Sequence, residues 1–501
     1  PGRPVPVQRP MSAATALDAA ALAGLPPGAA PTYDRRALTP GVLHIGLGAF
    51  GRAHVAHYCE DLLSAGDADA AVVGASLRTG AITAALGPQD GLYTLIESAG
   101  GEPSLRVIGA VAALAHGSEV ADHVAAPATT VVTVTVTEKG YCRDPRTGGL
   151  DLDHPDVVSD LAPDRDPSRA PRSLPGALVD GLERRRRAGG ADLAVISCDN
   201  LPANGEVTRA VVTDLARRRD EDLATWIDEH VSFRSTVVDR IVPAATDEDR
   251  ELVRSRLGVV DRAPVRAEAH RLWVIEAPAP DGGVGGLPAW DRVGAVFTDD
   301  LAPFQDRKLR LVNALHSAAA YLGLAAGFDT IAQAVADADL RAWLDRLGVE
   351  EIEPTLPAVG HSGSGDPAGP APAPGAATAE VLDRFANASL RHRCAQVGAD
   401  GSQKLGPRIL ATAAIRLERG DPVDGLATVV AAWSAHVGAT LGRGAALEDP
   451  LAGPLSVALE RPAEADRVRA LLEVIAAPDA LVDDDRFVAA VVAAGRERGW
   501  A

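Results

Sequence analysis

Residues 42–63 read VLHIGLGAFGRAHVAHYCEDLL, and this stretch decides the fold class. A short apolar strand leads into a glycine turn, after which apolar residues recur at helical spacing. Gly46-Leu47-Gly48-Ala49-Phe50-Gly51 stands where the strand passes into the helix. Glycines at these positions permit a tight turn and let backbone N–H groups approach a pyrophosphate at the helix N-terminus. A GxGxxG spacing by itself is a weak signal; the strand–turn–helix context is what points to a dinucleotide. The next apparent strand ends in Ser76-Leu77-Arg78, with no acidic residue for a ribose. The usual ribose test therefore leaves NAD against NADP open.

Outward from that segment, AVVGASL (71–77), VVTVTVT (131–137) and LAVISCDN (193–200) are further β-rich runs. Strands alternating with helical stretches indicate a parallel α/β sheet. Residues 1–40 are rich in Pro and Ala without clear periodicity and read as an N-terminal extension, while 143–172 looks like a charged loop. Past about residue 297 strand signals nearly vanish. KLRLVNALHSAAAYLGLAAG (308–327), DTIAQAVADADLRAWLDRL (329–347), TAEVLDRFANASLRHR (378–393) and ATVVAAWSAHVG (427–438) carry helical periodicity, interrupted by a Pro/Gly/Ser-rich loop at 356–376. The expected organisation is an α/β Rossmann-type NAD-binding domain over 41–296, followed by a mainly α-helical substrate and catalytic domain over 297–501.

A length of 501 residues exceeds what one compact core supports, so two domains are the default. Hydrophobic residues at 47% and charged residues at 23% describe a globular chain. The formal charge, 49 − 68 = −19, argues against a nucleic-acid or anionic-membrane partner. No apolar stretch is expected to reach the roughly 20 residues that span a bilayer. Asp18 breaks the one candidate secretory core, and the expectation is a cytoplasmic protein. Cys59, Cys142, Cys198 and Cys394 lack metal or disulfide spacing, and no metal site is expected.

The basic residues hold a sharper clue. Only Lys139, Lys308 and Lys404 are lysine; the other 49 − 3 = 46 are arginine. Asparagine is confined to Asn200, Asn204, Asn313 and Asn387, and the one methionine is Met11. In a chain so biased, lysine persists where arginine will not serve, as in a site needing a group that can lose its proton. Lys308-Leu-Arg-Leu-Val-Asn313-Ala-Leu-His316 falls on a predicted helix. At about 100° per residue, Lys308, His316 and Asn313 lie at roughly 0°, 80° and 140°, on one side. A lysine with its pKa lowered by burial, an amide and an imidazole suit oxidation of an alcohol: Lys308 takes the hydroxyl proton and Asn313 steadies the developing alkoxide. Asn200, just past an apolar strand in Cys198-Asp199-Asn200-Leu201-Pro202-Ala203-Asn204-Gly205, is placed to be a second amide donor, and Asn204 reads as an Asx turn or helix cap. Lys139 stands in Thr137-Glu138-Lys139-Gly140-Tyr141, beside turn residues. Lys404, with Arg391, Arg393 and Arg408 near in sequence, could hold a substrate carboxylate.

Together these segments resemble the polyol-specific long-chain dehydrogenases, the mannitol dehydrogenase and fructuronate reductase family, across about residues 40–490. GLGAFGRAH (46–54) is similar to the family's cofactor turn, which adds Phe50 and Arg52 to the glycines Gly46, Gly48 and Gly51. VSFRSTVVDRIVP (231–243) is similar to its signature segment, and Lys-x4-Asn-x2-His to its catalytic helix. The resemblance implies Lys308 as general base, Asn200 and Asn313 as the oxyanion hole, His316 as an orienter of substrate hydroxyls, and Asp239 and Lys404 as pocket residues. It also implies metal-independent chemistry on a Rossmann-type domain. Gln396 stands where mannitol dehydrogenases carry an arginine, and 396–408 looks more like the fructuronate reductase branch, which makes Gln396 a candidate substrate residue. Gln305 replaces a glutamate three residues before the catalytic lysine, and the 356–376 loop is longer than the family's.

The expectation is an NAD-dependent oxidoreductase interconverting a secondary alcohol and ketone on an open-chain sugar acid, D-mannonate and D-fructuronate first. The rival is a neutral-polyol dehydrogenase such as a mannitol 2-dehydrogenase; a remote one is a non-catalytic NAD- or sugar-binding protein. The oligomeric state is open.

Overall fold

Runs such as VLHI and LAVIS are apolar at every position or nearly so, the pattern of strands covered on both faces. In the computed structural model, which describes residues 15–144, 147–162, 164–166, 169–277, 286–357 and 373–500, they form one parallel six-stranded sheet. Its strands are β1 (Val42–Ile45), β2 (Val72–Ser76), β3 (Val111–His116), β4 (Val131–Val134), β5 (Leu193–Ser197) and β6 (Val231–Arg234). The order across the sheet is β3-β2-β1-β4-β5-β6, with every neighbouring pair parallel. This is the doubly wound dinucleotide-binding order, reversing direction between β1 and β4. Alternate residues feed two cores. Val42, Val131, Ala194 and Ile196 pack on one side, and Leu43, Ile45, Val132, Val134, Leu193 and Val195 on the other. Two three-stranded sheets flank it, Val265–Glu268 with Tyr93–Ser98 and Ser104–Ile108, and Thr236–Asp239 with Leu272–Glu276 and Val296–Thr298.

The chain divides into two compact units, one ending at Leu301 and the other beginning at Ala302. Residues 15–40 are built into the first rather than appended to it. Thr15–Ala16 pairs with Val259–Val260, Leu17 is buried among Leu92, Val107 and Val253, and Arg35 donates to the carbonyls of Gly109 and Val111. Within the charged segment at 143–172 a helix forms at Pro155–Asp160, started by a proline and by the His154 ring accepting Asp156 N–H at 3.2 Å. Met11 and most of the 356–376 loop lie outside the described residues.

The second unit is helical. Asn313–Ala326 packs against Ile331–Ala336, Cys394–Gly398 and Asp424–Gly442, and the last of these against Asp485–Glu497. The sequence expectation of no membrane-length apolar stretch needs correcting at Asp424–Gly442, which is long and apolar enough to cross a bilayer by length and composition. Its residues Leu426–Trp433 are buried in the unit, as expected of a core helix that is apolar all round. Among the described residues three π turns interrupt these helices, at Lys308–Val312, Leu347–Ile352 and Gly406–Leu410.

Candidate active site

In the first unit the glycine turn joins β1 to the helix Ala49–Ala53. Gly46 has φ +100°, and a Cβ there would lie 2.1 Å from the Thr135 carbonyl oxygen, so only glycine fits. A Cβ on Gly51 would lie 2.1 Å from Nε2 of His44, which lets the helix close onto β1. Gly48 differs. The nearest atom to its Cβ would be Gly46 O at 3.8 Å, and the residue is exposed. Nothing among the described residues demands a glycine there, and the open face leaves room for a ligand to come close to the backbone. The residues therefore fit a dinucleotide pyrophosphate.

His44 was not singled out by sequence reasoning, since a histidine inside an apolar strand looks like core. It is fully buried beneath the turn. The Thr135 hydroxyl donates to Gly46 O at 2.8 Å, so it accepts from His44 Nε2–H at 3.0 Å, and Nδ1 accepts from the Thr133 hydroxyl at 2.8 Å. Burial lowers the imidazole pKa to about 4, and the ring is neutral. Arg52 turns inward. Its guanidinium donates to Gly48 O and Ala263 O and lies over the Tyr93 ring, tying the turn to the neighbouring sheet. Phe50 stacks on His54 with ring centroids 4.9 Å apart.

At the carboxyl end of β5, Asp199 accepts from the N–H groups of Val136 and Thr137 and from the Tyr141 hydroxyl, at 2.7–3.0 Å. Thr137 is held at φ +67°, an uncommon conformation for a threonine, by this carboxylate. Asn200 follows it and is exposed. Asn204 is buried, with its amide bridging Asp199 O and the Thr236 backbone, so it is structural. Asp239 ends the strand Thr236–Asp239, with Oδ2 3.6 Å from His270 Nε2. Lys139 is exposed on a short turn, Glu138–Tyr141.

In the second unit, the ideal-helix expectation of Lys308 and Asn313 about 140° apart needs correcting. The segment between them is a π turn, and Asn313 N–H donates to Lys308 O, five residues back, which makes the two residues neighbours one turn apart. Buried Arg310 anchors the turn, donating to Thr355 O and Oγ1, to Thr412 Oγ1, and to Asp306. Nδ2 of Asn313 is buried with no hydrogen-bond partner. An amide donor so placed is costly unless something else accepts from it. His316, one turn further on, stacks on Phe385 and meets His392 edge-on, both with centroids 4.6 Å apart. Burial, and after it the charge of Lys404, lowers the His392 pKa.

The expected carboxylate cluster is only partly gathered. Lys404 Nζ donates to Val397 O at 3.2 Å and Ala399 O at 2.5 Å, and Arg408 donates to Ser317 Oγ at 3.0 Å. Burial, then Arg408, lowers the Lys404 pKa. Arg391, Arg393 and Gln396 are exposed. Phe385 and His392 went unread in the sequence; both lie in segments whose period marks a helix or turn but not which residues meet His316. Among the described residues no group of three or more His, Cys, Asp or Glu is gathered to hold a metal ion.

Residues 40–288 match the family profile described as the mannitol dehydrogenase Rossmann domain, and 300–497 that described as the mannitol dehydrogenase C-terminal domain. The chain is 38% identical to D-mannonate oxidoreductase of Escherichia coli (strain K12), over 93% of this chain and 95% of that one. It is 35% identical to mannitol 2-dehydrogenase of Cereibacter sphaeroides, over 83% and 85%. The solved structure of Pseudomonas fluorescens mannitol 2-dehydrogenase, a ternary complex with NAD and D-mannitol, superposes with TM-score 0.79 at 31% identity, covering 97% of this chain and 98% of that one. A substrate-free D-sorbitol dehydrogenase superposes with TM-score 0.84 at 27% identity, covering 97% and 99%.

Proposed function

We propose, from the fact that the chain belongs to the mannitol dehydrogenase family of oxidoreductases, that it interconverts a secondary alcohol and a ketone on an open-chain sugar acid, D-mannonate and D-fructuronate first. The observation that carries the chemistry is the unpartnered, buried Asn313 amide one π turn from Lys308. Lys308 Nζ takes the hydroxyl proton as the alcohol is oxidised and returns it on reduction. Asn313 Nδ2–H donates to the substrate oxygen as its negative charge develops, a role assigned to Asn200 as well. A bound nicotinamide dinucleotide, NAD(H) in this reading, accepts or supplies the hydride. Gly46, Gly48 and Gly51 shape the turn that would hold its pyrophosphate, and no metal ion takes part. His316, braced by Phe385, orients a further hydroxyl; Asp239 and Gln396 belong to the substrate side.

A sugar acid is favoured by the positive charge of Lys404, which acts on His392, with that of Arg408 beside Lys404, and by the 38% identity to a D-mannonate oxidoreductase. A neutral polyol is the second reading. The observation in its favour is that Lys404 and Arg408 already donate to Val397, Ala399 and Ser317, as internal braces would. NADH consumption with D-fructuronate and with D-fructose at matched concentrations decides between them. Faster fructuronate turnover supports the acid reading, faster fructose turnover the polyol reading, and silence on both removes each.

A further inference from the structure

In a sheet of order 3-2-1-4-5-6 the adenosine ribose of a dinucleotide lies at the carboxyl end of the second strand. A carboxylate there reads a free 2′-hydroxyl, and an arginine accommodates a 2′-phosphate. Between Ser64 and Gln89 the only carboxylates are Asp67 and Asp69, and both precede β2, at its amino end. The carboxyl end of β2 runs through Leu77, Arg78, Thr79 and Gly80 into the helix Ala81–Leu86. Arg78 is the first charged residue past the strand.

A second arginine shares its carboxylate partner. Arg78 Nη2 lies 2.6 Å from Asp156 Oδ2, and Arg172 Nε lies 3.2 Å from Oδ1 of the same carboxylate. The side chains of Arg78 and Arg172 are 58% and 56% exposed, against 14% for Asp156. Within this trio one carboxylate serves two guanidiniums, and both keep N–H donors exposed to solvent. His116 ends β3, the strand next to β2, and its Nε2 lies 3.6 Å from where a Cβ would stand on Gly80. The nearby Glu119 carboxylate accepts from the His116 backbone N–H at 3.0 Å.

We propose that Arg78 and Arg172 form a 2′-phosphate site, so that the protein binds NADP(H) at least as tightly as NAD(H). The proposal rests on the dinucleotide reading of the Gly46–Gly51 turn. A phosphate monoester carries about −1.5 to −2 charge at neutral pH and pairs with the fork geometry of guanidinium groups. Asp156 holds both arginines in place before the phosphate arrives, while neutralising only one of them.

Isothermal titration of the full chain with NADPH and with NADH, independent of any substrate, tests this. Wild type is expected to bind NADPH no more weakly than NADH. Arg78→Ala should weaken NADPH by about tenfold or more and leave NADH within about twofold. Arg78→Glu, which places a carboxylate at the ribose, should invert the preference. Tighter binding of NADH than NADPH by wild type overturns the proposal. So does an equal loss of both dinucleotides in Arg78→Ala, the result expected if the three side chains only pin a loop. Two flat titrations with wild type would instead remove the dinucleotide reading itself, and the 2′-phosphate site with it.

Discussion

Gly48 and Gly51 belong to one turn yet should fail in different ways when each becomes alanine. A methyl group on Gly51 would stand 2.1 Å from His44 Nε2, and 2.9 and 3.0 Å from its two neighbouring ring carbons. The ring has nowhere to go, being fully buried and held on both nitrogens by Thr133 and Thr135. Overpacking costs about 1–3 kcal/mol, and disturbing two buried hydrogen bonds costs about 1–3 kcal/mol more. The helix preference of alanine over glycine returns about 0.5–1 kcal/mol. Gly51→Ala should therefore lose about 1–5 kcal/mol, a fall in melting temperature of about 2–10 °C for a unit this size. Gly48 has φ −74° and open space around its Cβ position, so Gly48→Ala should melt within about 1 °C of wild type. Its methyl stands where a pyrophosphate must come, and affinity for NADH should drop by about tenfold or more. Thermal melts followed by circular dichroism and titration calorimetry with NADH read the two effects separately. If Gly48→Ala melts as low as Gly51→Ala, or binds NADH like wild type, the assignment of these glycines to separate tasks is wrong.

The remaining predictions concern the chemistry and the buried histidine. Lys308→Ala should abolish turnover and leave NADH affinity unchanged; near-normal turnover would sink its role as the base. Asn313→Ala should slow the chemical step by about 10²–10³-fold without lowering the melting temperature, since it removes a buried unpaired donor. An unchanged single-turnover rate would take Asn313 out of that role. His44 titrates near pH 4 in the fold and near 6.5 when unfolded, so between those values the unfolded chain holds a proton that the native chain does not. Its contribution is complete above pH 6.5 and is lost as the pH falls towards 4, about 3 kcal/mol in all. Urea unfolding of wild type and His44→Gln at pH 7 and pH 4.5 should show the steeper acid loss in wild type, and parallel losses would contradict this.

The α/β half was legible because a parallel sheet imposes its signature locally. VLHI, VVTV and LAVIS are apolar on both faces, and GLGAFG follows the first of them. β3 and β6 were not legible as strands. VAALAH is alanine-rich, and VSFR carries Ser232 and Arg234 among its four residues, so their membership depends on neighbours already in place. Lysine scarcity singled out half-buried Lys404 and exposed Lys139 alike, because codon bias does not know burial. The relation of Lys308 to Asn313 could not be read at all from a period of 3.6. The extra residue in that turn is held by Arg310 against Thr355 and Thr412, partners far along the chain.

That π turn makes angular phase, and not only residue identity, part of the candidate site. The same five residues wound as a regular α-helix would carry Asn313 about 140° round the axis from Lys308. Deleting Leu309, Leu311 or Val312 while the turn tightened to α would instead leave the lysine and the amide neighbours one turn apart, because the missing residue and the tighter winding compensate. The turn is therefore an extra residue that the helix absorbs without turning the side chains on either flank out of line.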